Sequence, residues 1–131
     1  MWYNGGKNQF SEFGMLIKIV KMLPSLLFNR LIHGRFIDIL LTHAPPFGIH
    51  DKKDRCHRGF KVFRHFIRFF KPRYLIHGHI HLYGSCECDK RKDWLHSTEI
   101  VNVYNHYVLE FPAAETREVN EKQSNTNCCY E

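Results

Sequence analysis

The chain has 131 residues, 44% hydrophobic and 15% aromatic, a composition that excludes a wholly disordered protein and predicts one ordinary domain at most. A formal net charge of +6 suits a polyanionic partner such as nucleic acid, while no apolar run reaches the roughly 18 to 20 residues needed to span a bilayer. The five cysteines match no disulfide framework or zinc-finger spacing and no secretory leader follows Met1, so the expected compartment is the reducing cytoplasm.

Residues 1–9, rich in Gly and Asn, predict a loop. Ser11 is a candidate cap for a helix starting at Glu12, with Phe13, Leu16, Ile17, Val20 and Leu23 at helical spacing, and Pro24 is expected to kink or end it. Phe36 to Thr42 reads as a buried parallel strand, bounded by Gly34 and by Pro45-Pro46. A polar loop with Gly48 and Asp51 leads into a helix predicted over His57 to Lys71, carried by Phe60, Phe63, Ile67 and Phe70 and closed by Pro72.

Tyr74-Leu75-Ile76 predicts a second buried strand, which runs straight into His77-Gly78-His79-Ile80-His81. Strand, loop, helix, strand is the order of a βαβ unit. Thr98 to Val103 and Tyr107 to Phe111 read as two further strands joined by a turn at Asn105-His106. The last segment, 112–131, is polar and aperiodic, a disordered tail by composition.

Ten histidines are many for this length, and their positions carry the functional signal: His43 follows one strand, His79 and His81 the next. The carboxyl ends of parallel strands are where open α/β sheets bind ligands, and imidazole suits zinc, iron, manganese or nickel. Gly78 is expected to provide a sharp turn, and the His79-x-His81 spacing to aim both rings to one side of an extended segment.

Leu41-Thr42-His43-Ala44-Pro45-Pro46 followed by Gly78-His79-Ile80-His81 resembles the calcineurin-like metallophosphoesterases, over about Phe36 to Phe111. The resemblance implies an α/β fold that is part of a metallophosphoesterase sandwich, mixed β-sheets flanked by helices, with the N-terminal half missing. Residues 1–111 would be the C-terminal portion of that domain. It further implies hydrolysis of a phosphate mono- or diester by two divalent metal ions, one held by His43 and His79 and the other by His81. The family's Asp-x-His, Gly-Asp and Gly-Asn-His motifs have no match upstream of His43, so its bridging Asp and acid His are not present and no catalytic residue is assigned.

Asp51, His57 and Asn102 stand where a side chain could face substrate or orient a ligand, with loop solvation, capping and interior hydrogen bonding as the competing roles. His77 reads as packing. Arg64, Arg68, Lys71 and Arg73 alternate with Phe63, Phe66 and Phe69, which supports the alternative function, a catalytically inactive remnant acting as an interaction or nucleic-acid-binding module. Half of a sandwich would leave a sheet edge and one core face uncovered, so self-association is expected.

Overall fold

Two helices and four short strands account for most of the backbone in the computed structural model, which describes residues 10–54, 56–82 and 91–110. The predicted loop at the N-terminus, the tail at 112–131 and Cys86, Cys88, Cys128 and Cys129 lie outside those residues. The elements are α1 (Glu12–His33), β1 (Ile39–Thr42), α2 (Lys61–Phe70), β2 (Tyr74–His77), β3 (Lys92–Leu95) and β4 (Thr98–Asn102). The class is α/β: one mixed sheet in the order β1-β2-β4-β3, with β1, β2 and β4 parallel and β3 antiparallel to β4.

Ser11 caps α1 as its sequence predicts, its Oγ accepting the Gly14 N–H at 3.1 Å, and Gly34 ends it in the left-handed conformation at φ 72°. The helix does not end at Pro24 but runs nine residues past it, to His33. The proline leaves the Val20 carbonyl without its helical donor. The buried face agrees with the expected one only at Leu23: Phe13, Leu16, Ile17 and Val20 face solvent, while Met15, Ile19 and Leu26 pack on the core beside Leu23. A helix apolar on nearly all sides has no periodicity that selects one face.

In α2, Val62, Phe63, Phe66 and Ile67 are buried against β1, β2 and β4 residues Leu40, Leu75 and Ile100, while Arg68 stays outside. The N-cap, Phe60, has no side-chain acceptor, and α1 supplies one instead: the Glu12 carboxylate accepts the Lys61 N–H at 2.8 Å and the Val62 N–H at 3.2 Å. Glu12→Ala should therefore cost about 1 kcal/mol of stability in a urea titration, the usual scale for a lost cap. An unchanged midpoint would mean that water replaces the carboxylate without loss.

The predicted helix over His57 to Lys71 starts four residues late because a tertiary contact claims the lead-in. Phe60 pairs with Pro46 in an isolated parallel bridge, Phe60 N–H donating to the Pro45 carbonyl and Phe47 N–H to the Phe60 carbonyl, each at 3.1 Å. β1 is likewise shorter than the predicted Phe36 to Thr42, since Asn29 binds the Phe36 carbonyl and Arg35 pairs with Asp38. It is parallel as expected, but it is an edge strand with Leu41 74% exposed rather than a buried one.

The C-terminal hairpin is not the one predicted. β3 and β4 pair around a two-residue turn at His96-Ser97, His96 having φ 56°, and residues 103–110 form no strand. Lys92-Asp93-Trp94-Leu95 lacks an apolar alternation, and the cross-strand pair Lys92–Glu99 at 2.8 Å supports a strand that hydrophobic patterning does not reveal.

Candidate metal centre

The register of the parallel strands sets the site. Thr42, His77 and Asn102 are neighbours across β1, β2 and β4, so the chain leaves all three strands on one side of the sheet. Gly78 N–H binds the His43 carbonyl at 3.2 Å and Val103 N–H the His77 carbonyl at 2.8 Å, which carries the pairing one step past the strand ends. His43 and the segment Gly78 to His81 meet there.

The sharp turn lies at His79 rather than Gly78. His79 has φ 67°, and the Ile80 N–H reaches the Gly78 carbonyl at 2.7 Å, a three-residue γ-turn of a kind that is rare and strained. Gly78 has no positive φ, and a Cβ there would meet nothing within 4 Å. Gly78→Ala is accordingly expected to leave melting temperature and any metal affinity unchanged within error. A large loss would show that the glycine is needed after all.

This turn aims His79 at His43. His79 Nδ1 stands 3.0 Å from His43 Nε2, and His79 Nε2–H donates to the Cys56 carbonyl at 2.7 Å. A carbonyl only accepts, so the neutral His79 ring carries its proton on Nε2 and presents the Nδ1 lone pair to His43. Nitrogens sharing a tetrahedral ion with bonds of roughly 2.0–2.1 Å stand about 3.3 Å apart, so this pair is within a few tenths of an ångström of a shared ligand position. The carbonyl behind His79 is the usual means of fixing a ligand ring. Two nitrogens of a coordination sphere are thus in place, fewer than the three or four that hold a divalent ion.

The other expected positions divide. His81 stacks on Tyr104, ring centroids 4.5 Å apart, and the extended His79-x-His81 segment is replaced by the turn. His57 does approach the pair, its ring 5.3 Å from that of His79, and its Nδ1 binds Asp54 Oδ1 at 2.8 Å. Asp51 closes the loop, its Oδ2 accepting the Gly59 N–H at 3.0 Å. Asn102 is fully buried and satisfied: Nδ2 donates to the Ile80 carbonyl at 2.9 Å, and Oδ1 accepts the Tyr104 N–H at 3.0 Å. It thus fastens the loop that carries His79 and His81. Among the described residues, no three His, Cys, Asp or Glu side chains gather closely enough to enclose an ion.

Two residues escape the sequence reading. Asp54, three residues before His57, holds that ring, and a carboxylate at this spacing from a histidine was the available signal. His50 Nδ1 lies 2.9 Å from the fully buried His77 Nε2, while His77 Nδ1–H donates to the Gly78 carbonyl. Burial pushes the His77 imidazole down to about 4 and lowers His50 as well, so both rings are neutral. His50 then donates to His77, and its buried Nε2 has no protein partner.

Phe63 and Phe66, candidates for stacking on bases, are core residues of α2, leaving Phe69 as the exposed ring of the three. No helix among the described residues is long and apolar enough to cross a membrane. Comparison with models of known families, with curated proteins and with solved structures finds no match for this chain.

Proposed function

We propose that this protein is a metal-dependent phosphoesterase of the calcineurin-like kind, hydrolysing a phosphate mono- or diester. The observation that carries the reading is the approach of His43 Nε2 to His79 Nδ1, 3.0 Å apart at the ends of adjoining parallel strands, with the far nitrogen of His79 tied to a backbone carbonyl. When bound, divalent ions of the manganese, iron, zinc or nickel class would polarise the phosphoryl group and make water a stronger nucleophile at neutral pH.

The chain's own residues then have separate tasks. His43 and His79 would hold one ion and His81 the other, with Tyr104 steering the His81 ring by stacking. His57, its Nδ1–H donating to Asp54, would present the Nε2 lone pair beside the His43–His79 pair, placed to take a proton from the attacking water. Asp51 and Asn102 would act by fixing the two loops. Cysteines without a disulfide framework in their spacing support the cytoplasm as the compartment.

The second reading, an inactive remnant serving as an interaction module, is favoured by the lack of any three-residue His, Cys, Asp or Glu group among the described residues. Hydrolysis of bis-p-nitrophenyl phosphate with added manganese, beside the His79→Ala/His81→Ala double variant, decides between the two. Metal-dependent turnover that falls roughly a hundredfold or more in the double variant is the expected result, a loss at least as large as ligand-orienting residues cause. Equal rates for both proteins would leave the remnant.

A further inference from the structure

A cavity of about 580 Å³ opens between α1, β1 and α2, and His43 is part of its wall. Met15, Ile19 and Met22 of α1, Leu40 of β1, and Phe63 and Phe66 of α2 are among the apolar residues that line it, and Lys18 of α1 lines it too. The volume is within the roughly 300–1,000 Å³ of small-molecule sites, which combine apolar walls with a few polar groups at one place. Here the polar place is the segment Thr42-His43-Ala44, so the apolar space and the His43–His79 pair share a residue. Lys18 is a cation among the lining residues, its Nζ 3.7 Å from the Phe10 ring centroid.

Resting on the phosphoesterase reading, we propose that this cavity takes the apolar chain of an alkyl phosphate ester, drawn from solution as a single amphiphilic molecule, with its phosphate at His43 and His79. Thioether and phenyl walls adapt to a flexible hydrocarbon chain. Each methylene moved from water into the cavity should tighten binding about fourfold. The His43–His79 pair, with a divalent ion bound, favours an ester that retains negative charge over a neutral alcohol of equal length.

The test is calorimetric titration of the full chain, with manganese present, by butyl phosphate, octyl phosphate and octanol. Octyl phosphate is expected to bind one per chain, roughly two-hundredfold tighter than butyl phosphate and clearly tighter than octanol. Met22→Trp narrows the cavity from a position that is 37% exposed, where a larger side chain can be accommodated, and should remove most of the preference for the longer chain. His43→Ala should bring octyl phosphate down to the level of octanol.

Equal affinity for the two phosphates overturns the inference, and so does octanol binding as tightly as octyl phosphate. Hydrolysis of bis-p-nitrophenyl phosphate measured alongside separates the two claims. Hydrolysis without chain-length preference overturns the cavity's ligand and leaves the phosphoesterase standing. Chain-length preference without hydrolysis supports the ligand and removes the enzyme.

Discussion

Lowering the pH from 6.5 to 4 in the presence of a chelator should remove about 3 kcal/mol of folding stability through His77 alone. The folded chain buries His77 at the end of β2 and holds its pKa near 4, whereas the unfolded chain lets it titrate at the ordinary 6.5. Between those values the unfolded state binds a proton that the folded state refuses, so stability rises with pH across the window. The contribution is complete above pH 6.5 and is lost progressively as the pH falls to 4. His50, lowered by burial although Asp93 opposes the shift, adds in the same direction. Urea titrations at several pH values would measure the slope. His77→Gln, which cannot take up a proton, should flatten it, and an identical slope in that variant would mean that other groups carry the acid sensitivity.

Gly59→Ala should be nearly as damaging, costing about 3 kcal/mol, at the upper end for overpacking. A Cβ on Gly59 would lie 2.6 Å from the Pro46 carbonyl carbon and oxygen and 2.7 Å from the Phe47 nitrogen, distances that only backbone movement can relieve. The same backbone forms the Pro46–Phe60 bridge and receives the Asp51 carboxylate. Moving it displaces the Cys56 carbonyl that fixes His79, so metal affinity should fall together with melting temperature. A variant with wild-type melting temperature would show that the loop has room to yield.

Gly59 also marks the limit of what the sequence discloses. The βαβ order, the Ser11 cap and the delivery of His43 and His79 from adjoining strand ends follow from local signals: an apolar run, a capping residue, a histidine just past each strand. Four residues of predicted helix became loop because Phe60 pairs with Pro46, a contact between positions that no periodicity connects. The α1 core face keeps Leu23 of the expected set but not Phe13, Leu16, Ile17 or Val20, because Phe13 and Met15 are both apolar and only the packing partner decides between them. The true hairpin escaped notice because Lys92 and Asp93 give β3 no hydrophobic alternation.

In the site, spacing located the histidines but not their directions. The His79 γ-turn sends neighbouring motif rings to different partners, His79 to His43 and His81 to Tyr104, whereas an extended segment would have kept them together. The roles of Asp51 and Asn102 as loop fasteners rest on hydrogen bonds to Gly59, Ile80 and Tyr104, which exist only once the loops are folded. His50 carried no signal of its own, because its partner His77 lies 27 residues further along the chain.

Calorimetric titration of zinc into the chelator-stripped chain, beside His43→Ala and His79→Ala, tests the metal pair most directly. One ion should bind per His43–His79 pair, with each single variant weakening it by roughly a hundredfold or more, since removal of either ring takes away a ligand and not merely its support. Zinc binding of unchanged affinity in both variants would contradict a metal centre at these two histidines.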